Sequence, residues 1–591
     1  MDSGNKKLVL AFPPYSIPPT SPPLGVCLLK GFLQRALPDW SVKVMDFNLD
    51  MHEDFFRNLS LRRCLPPKEF PEGMLGEIAL SYAGEMFRGG HNDEFFGRAD
   101  RYTMCADLWL RLMHREVGVL PNVLRQAFEG KIAMPDLIEK HARRVLAEQP
   151  GVVGLSLCYS QQVWAGLCLA RTIRKQSPVP IVLGGTFFNR QANAEWALRS
   201  GEADFVVVGE GEEALAGLLA GGLNPDALPG VFYRKEGRPA GPPGQSHSRS
   251  MGILPMSPTG VPPVEFAENP QDRDGPGTHG RDAHATVSEN AIALAGTPPA
   301  FAMDLDRLGS PDFSDLDLRA YFSPLPVLPV LTSRGCYWRR CAFCVHYQSA
   351  GLTYRRRGVA GVVEELRRHV ERGVRHFALI DEMLSPDHFA QLAGAIIDSG
   401  LKIFYYAYAK PVRQFDRELL GRIHQSGCRY VLWGLESGSQ RVLDLMDKGT
   451  KIKDVEDVLE TAHAAGIRNH VYVMPGFPTE TAAELQETLD FLARHKQAIA
   501  AVHHGLFMLE KDSPVYDHPE KFSITRSWPA GQTPDRDWCE FECASGMTRK
   551  EAQQAFAKAV PYFNNFYHYS PRLSYLRDHA LLVYSHPEQQ G

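Results

Sequence analysis

The chain has 591 residues, 44% of them hydrophobic and 23% charged, and a formal net charge of −5. That length exceeds what one hydrophobic core serves, so two or three domains are expected, and the composition excludes disorder over most of the chain. The slight acidity excludes a global basic field for nucleic acid or anionic lipid, and 11 mostly scattered cysteines, an odd number, do not make a secreted disulfide scaffold, which points to a reducing cytoplasm.

The chain opens on KKLVLAFPP (6 to 14), a strand running into a proline loop, with an apolar run too short for a secretion signal. A helical pattern from Leu24 to Leu37 and a strand from Val42 to Asp46 complete a βαβ opening. Residues 50 to about 148 show helical rather than alternating spacing and are expected to be a mostly helical insertion. The α/β rhythm then resumes: strand 152 to 158, helix 162 to 175, strand 180 to 183, helix 191 to 200 and strand 204 to 208. Such alternation predicts a doubly wound parallel sheet with helices on both faces.

Residues 236 to 300 turn rich in Gly, Pro, Ser, His and Asp, too poor in apolar surface to offset the entropy of ordering, and are expected to be a disordered insertion or linker. From 301, strands ending near Thr332, Ile380, Ala407, Leu435, Met474 and Phe507 alternate with helical patterns at 361–372, 386–399, 416–426, 453–465 and 479–493. Gly373, Gly400, Gly427 and Gly466 stand where helices stop. Six βα units predict a partial (β/α)6 barrel of the TIM type over 301–525, and a capping box at Thr548 and Glu551 predicts a helical appendage over 526–591. No apolar stretch reaches the length needed to cross a bilayer.

The stretch TSRGCYWRRCAFCVHYQ sets Cys336, Cys341 and Cys344 within nine residues directly after the first barrel strand, where barrels do their chemistry. Three thiolates on one loop can wrap an inorganic cluster and leave one metal without a protein ligand. Two plainer readings stand beside it: a zinc site that borrows His346, at a spacing tighter than usual for zinc pairs, and three unligated core cysteines.

This loop resembles the cysteine motif of the radical S-adenosylmethionine (SAM) superfamily, whose usual form is CX3CX2C with an aromatic before the last cysteine. Phe343 fills the aromatic place, and the present spacing is CX4CX2C, one residue longer, so the loop is expected to bulge. The resemblance implies a [4Fe-4S] cluster on the three cysteines, SAM on its open iron, and reductive cleavage to a 5′-deoxyadenosyl radical with electrons from a flavodoxin or ferredoxin. It also implies SAM contacts: Asp381 and Glu382 after strand two for the ammonium, Glu436 and Ser437 in a GxES-like segment for the ribose and methionine end, and Phe343 and Gly476 near adenine.

VLGGTFF and VVVGEGEEAL resemble the cobalamin (B12)-binding domain that precedes the barrel in a large class of methyltransferases, although glycines at strand ends fit a tight turn as well as a ligand. The resemblance implies cobalamin against Pro13, Pro14, Gly184, Gly185, Thr186, Gly209, Glu210, Gly211 and Glu212 in a domain over 1–235. No DxHxxG stretch occurs there, so cobalt is expected to lack a protein histidine. The implied reaction is methyl transfer to an unactivated carbon of a peptide, lipid or small metabolite. A radical SAM oxidase or ring-former and a tRNA methylthiotransferase are the enzyme rivals, the latter disfavoured by the lack of a second three-cysteine set and of a basic C-terminal domain; a zinc-stabilised binding module is the rival of another class. Arg355, Arg356 and Arg357 read as a solvated basic run rather than a substrate clamp, and Cys539 and Cys543 as inert thiols.

Overall fold

Runs such as KLVLAF, VVGLS and IVLG are apolar throughout rather than alternating, which is what strands covered on both faces require. The computed structural model describes residues 5–58, 102, 110, 117–226, 228–234, 294–300, 303–346, 351, 353–531, 538–566 and 576–586. Its first half comprises β1 (Lys7–Phe12), α1 (Leu24–Ala36), β2 (Ser41–Asp46), α2 (Phe47–Asn58), α3 (Leu120–Phe128), α4 (Asp136–Ala147), β3 (Val152–Ser156), α5 (Val163–Gln176), β4 (Ile181–Gly184), α6 (Gln191–Arg199), β5 (Phe205–Val207), α7 (Gly211–Ala220), β6 (Val231–Arg234) and β7 (Leu294–Gly296). The strands form one sheet in the order β2-β1-β3-β4-β5-β6-β7. The five predicted strands pair in parallel, and β6 and β7 add an antiparallel edge.

That edge corrects the linker reading at its far end: Leu294–Gly296, inside the range 236–300, pairs with β6, and β6 itself was not expected. Residues 235–293 lie outside the described residues, as does most of 59–116. What is described of the insertion is helical, and Leu124, Ile138, Ala142 and Val145 of α3 and α4 share a core with Val163 and Leu167 of α5.

The second half comprises β8 (Val327–Val330), β9 (Ser333–Arg334), β10 (Arg355–Arg356), α8 (Val359–Glu371), β11 (His376–Leu379), α9 (Pro386–Asp398), β12 (Phe404–Ala409), α10 (Arg417–Gln425), β13 (Cys428–Glu436), α11 (Gln440–Leu445), α12 (Ile452–Ala464), β14 (Arg468–Val473), α13 (Ala482–Arg494) and β15 (Ile499–His504). The six long strands are parallel in the order β15-β14-β13-β12-β11-β8, an open sheet that shares one core with α8, α9, α10, α12 and α13, while α11 packs beside the cysteine loop. This is the expected partial barrel. Gly427 shows why a helix here ends in glycine: φ is +111°, and a Cβ would stand 2.1 Å from the Ile403 carbonyl oxygen. Behind the sheet the fully buried Trp433 donates its indole N–H to Asn469 Oδ1 at 2.8 Å, while Asn469 Nδ2 donates to the carbonyls of Leu459 and Ala498.

The C-terminal region departs from the expected helical appendage. A three-stranded antiparallel sheet comes first, with β16 (Leu509–Glu510), β17 (Ile524–Pro529) and β18 (Trp538–Cys543) in the order β16-β18-β17. After α14 (Arg549–Asn564) comes α15 (Arg577–Ser585), whose Ala580, Leu581, Leu582 and Val583 pack with Ala378, Tyr406, Tyr430 and Leu432 on the barrel face that α8, α9, α10, α12 and α13 leave open. It therefore lines the barrel rather than decorating it.

The two halves share one core. Leu24, Leu28 and Phe32 of α1 meet Leu305, Leu308 and Phe313 of the connecting segment, which continue into Val362 and Leu366 of α8. Lys30, buried under that segment, is held by Asp315 at 2.7 Å and Asp312 at 3.4 Å.

Candidate active site between the two sheets

Strand β8 points its carboxyl end into the cysteine loop, which is tied down along its length. Ala342 N–H donates to the Met446 carbonyl, Val515 N–H to the Ala342 carbonyl, and Cys344 N–H to the Cys341 carbonyl. The residue in excess of the usual spacing is absorbed by an arch: Arg339 is left-handed at φ +55°, Trp338 Nε1 donates to the Asp447 carbonyl at 2.7 Å, and Arg340 pairs with Asp447. The Trp338 ring lies under Lys410 Nζ, 3.2 Å from its centroid, and against Gly449, where any Cβ would be 2.0 Å from the indole.

Cys336, Cys341 and Cys344 are half-buried free thiols close enough to sense one another's charge. Burial pushes the Cys344 thiol up to about 12 although the His346 backbone N–H donates to it, and burial raises Cys341 while Lys448 pulls it down. Thiolates here need a compensating cation, and one is present. Lys448, almost fully buried, donates from Nζ to Glu436 Oε1 at 2.7 Å; burial opposes its charge, and Glu436 and the thiols outweigh burial. Lys410 is pushed down to about 8, first by burial and then by Lys448.

The predicted SAM residues divide. Phe343 packs beside the cluster loop with Lys448 Nζ 5.7 Å from its ring centroid. Glu436 ends β13 at a bulge with φ +67°, aimed at Lys448. Glu382 is exposed and lines the cavity between the halves. The other three are engaged within the protein. Asp381 is buried, and its Oδ1 accepts from Thr332 N–H (3.0 Å), Thr332 Oγ1 (2.9 Å) and Ser333 Oγ (2.6 Å), so it clamps the base of the cysteine loop. Ser437, also buried, accepts from Ser439 N–H and bonds Thr488. Gly476 has φ +84°, and a Cβ there would meet Leu506 and Ala552, so packing and backbone conformation both demand a glycine.

A cavity of about 300 Å³ separates the carboxyl edge of the first sheet from β8 and β11. Gly184, Gly185, Thr186, Gly209, Glu210, Gly211 and Glu212 all line it, facing Ser333, Arg334 and Glu382. Pro13 and Pro14 do not: they are buried, the Pro13 carbonyl accepting from Gln162 Nε2. The glutamates are engaged with the other half of the molecule. Arg334, two residues before Cys336, pairs with Glu210 at 2.9 Å and Glu212 at 2.6 Å, and Arg355 takes Glu210 at 2.5 Å. The arginine run is thus not a solvated face, since Arg357 pairs with buried Glu365 at 2.8 Å and Arg356, the exposed member, with Asp387. Cys539 and Cys543 lie on β18 in the apolar cluster beneath the cysteine loop.

A family model described as the radical SAM superfamily matches residues 330–492, and one described as the B12 binding domain matches 120–219. The chain thus contains a radical SAM domain and a B12-binding domain. An uncharacterized methyltransferase of Pyrococcus horikoshii is 28% identical over 210 residues, 35% of this chain and 45% of that protein. The chain spans less than half the length of the curated relatives it matches first. Two solved structures share its fold over 95% of the chain: the cobalamin-dependent SAM radical enzyme OxsB with aqua-cobalamin bound (TM-score 0.61, 13% identity, 67% of that chain), and the radical SAM methyltransferase TsrM from Kitasatospora setae with cobalamin and a [4Fe-4S] cluster (TM-score 0.54, 16% identity, 89% of that chain).

The radical SAM domain's donor set fits a cluster: Cys336, Cys341 and Cys344 are free thiols on one loop, close enough to sense one another's charge, and buried Lys448 beside them can balance the charge of a thiolate-held iron–sulfur group. The B12-binding domain's donor set fits as well: Gly184, Gly185, Thr186, Gly209 and Gly211 on the edge facing the cavity permit the close approach a flat macrocycle needs.

Sequence reasoning missed Arg334, Lys448, Lys410 and Glu480. Glu480 is buried, accepts from Gly476 N–H at 2.5 Å, and is pushed up to about 7 by burial. Lys448 sits in a turn 12 residues beyond Glu436, with no periodic signal to connect the two.

Proposed function

We propose that this chain is a cobalamin-dependent radical SAM methyltransferase that methylates an unactivated carbon. The observation that carries the reading is the placing of Ser333, Arg334 and Gly335, which lead into the cysteine loop, and of the glycine-lined sheet edge on opposite walls of one chamber, each at the carboxyl ends of parallel strands. Residues 1–235 with β7 would form the cobalamin-binding half, 303–525 the radical SAM barrel, and the C-terminal sheet and helices its support. When bound, the cluster and cobalamin supply single-electron cleavage of SAM and methyl carriage, respectively.

The chain's own part is to hold and insulate. Cys336, Cys341 and Cys344 would hold three irons, with Lys448 and Lys410 balancing the negative charge gathered there. Glu436, fixed by Lys448, keeps one carboxylate oxygen for SAM hydroxyls, and Phe343 packs beside it. Gly184, Gly185, Thr186, Gly209 and Gly211 would carry cobalamin. The Arg334 pairs hold the two walls in register. A one-electron donor such as a flavodoxin or ferredoxin supplies the reductant.

Anaerobic reconstitution with iron, sulfide, hydroxocobalamin, SAM and a reductant tests this. The expected result is about four iron per chain, with 5′-deoxyadenosine and S-adenosylhomocysteine both formed, and loss of both iron and products in Cys341→Ala. 5′-Deoxyadenosine without S-adenosylhomocysteine would favour the oxidase or ring-forming alternative. Stoichiometric zinc without iron would refute the cluster.

A further inference from the structure

A second cavity, of about 420 Å³, opens where the barrel face covered by α15 meets the first sheet. Tyr15 and Tyr159 reach it from the loops after β1 and β3, Ile380 from the end of β11, and Tyr406, Arg577 and Asp578 from the barrel and α15. That volume suits a small molecule or one end of a larger one.

The charged groups on its wall differ in how well they are satisfied. Asp46 accepts from the backbone N–H groups of Asn48 and Leu49 and from Tyr321 O–H at 2.8 Å. Asp578 accepts from Thr20 Oγ1 at 2.5 Å and Tyr406 O–H at 3.2 Å. Both carboxylates are therefore occupied. Arg577 Nη1 lies 2.6 Å from Tyr408 Oη with Tyr472 nearby; the Asp578 carboxylate attracts it from beyond ion-pair distance, and among the described residues no carboxylate forms an ion pair with it. A guanidinium has five donors in a planar fork, and leaving it under protein cover without a counter-ion is costly unless an anion arrives.

A second feature lies on the same wall. The rings of Tyr15 and Tyr159 stack at 4.6 Å and 20°, and Tyr159 keeps 47% of its surface exposed. An exposed ring already held parallel to another is a platform for a third flat group.

We propose that this cavity is the subsite for the molecule that receives the methyl group, and that this molecule carries an anionic oxygen group, carboxylate or phosphate, beside a planar ring. Arg577 takes the anion and Tyr159 the ring. The word "receives" rests on the function proposed above; the anion-and-ring recognition does not.

The test is binding without turnover. Protein reconstituted with cluster and hydroxocobalamin, but given no SAM, is titrated with benzoate, phenyl phosphate and neutral benzamide by saturation-transfer NMR. The anionic probes are expected to bind about tenfold or more tightly than benzamide, the better of the two naming the anion, and Arg577→Gln is expected to abolish that preference. Tyr159→Leu, a change at an exposed side chain that leaves the fold intact, is expected to weaken all three. Equal binding of benzamide, an unchanged preference in Arg577→Gln, or failure of both anions to bind overturns the proposal. Because SAM is absent, a failed cleavage assay would leave this result standing, and a successful one would not rescue it.

Discussion

Replacing Arg334 by Leu removes the residue that joins the cysteine loop to the first sheet. In the native protein it makes contacts of 2.9 Å and 2.6 Å with Glu210 and Glu212, and all three side chains are largely shielded from water. Without it, Glu210 retains Arg355, but Glu212 keeps a charge in a shielded place with no cation on it. Breaking a buried pair from one side costs about 3–5 kcal/mol, mostly as the uncompensated charge left behind. The side-chain exposures of 15% for Arg334 and 5% for Glu212 argue for the lower end, about 3 kcal/mol. Glu212→Gln removes the stranded charge, so the double variant should be less destabilised than the sum of the singles by about 2 kcal/mol. Hydrogen exchange is the suitable assay, since it reads the amides of α7 and β9 separately from those of β13. Additive effects in the cycle, or a loss in Arg334→Leu below about 0.5 kcal/mol, would refute the claim that this network holds the two halves together.

Acid should unfold the protein from near neutrality downward. Burial holds His52, His369, His388 and His579 down to about 4 and His470 to about 3, whereas unfolded imidazoles take protons near 6.5. Between those values the folded state binds fewer protons, so stability is complete above about pH 6.5 and falls as pH drops toward 4. Asp46 and Asp381, pushed up to about 6 by burial, act oppositely below that pH but are outnumbered; a urea midpoint at pH 5 equal to or above that at pH 7 would contradict this. Gly449→Ala should drive the Trp338 indole aside, since the new Cβ falls 2.0 Å from it at a positive φ of 63°, and so yield substoichiometric iron on reconstitution with the far-UV spectrum intact; full iron loading would show that the arch tolerates the shift. Asn469→Ala strands the Trp433 N–H and the carbonyls of Leu459 and Ala498 together, at a cost on the order of 3 kcal/mol; an unchanged denaturation midpoint would count against that accounting.

Much of the fold is legible because period and punctuation agree. The parallel strands of both halves are continuous apolar runs, and glycines such as Gly427 close the helices between them, so boundaries fell within a few residues of the observed ones. The short strands β6, β7, β16, β17 and β18 were not legible: two to six residues such as LAG or ITRSWP become strands only because a neighbour offers its edge, which a local window does not contain. At the site, covalent neighbours were readable and spatial ones were not. Cys336, Cys341, Cys344 and Phe343 lie on one loop, but Lys448, Arg334 and Arg577 matter through partners 12, 122 and 169 residues away. The part Asp381 plays in the loop was not legible for a related reason, because a carboxylate at a strand end serves a ligand or the backbone equally well, and the donors on Thr332 and Ser333 become its neighbours only in the fold.

The apolar seam running from α1 through Leu305 and Phe313 to α8 bears on how anything enters and leaves. Swinging the halves apart like a clamshell would wet that seam at roughly 25 cal/mol for every Å² of apolar surface exposed. Opening of that kind is therefore costly, and traffic through rearranged loops while the walls stay docked is the cheaper route, one that favours slender molecules over bulky ones.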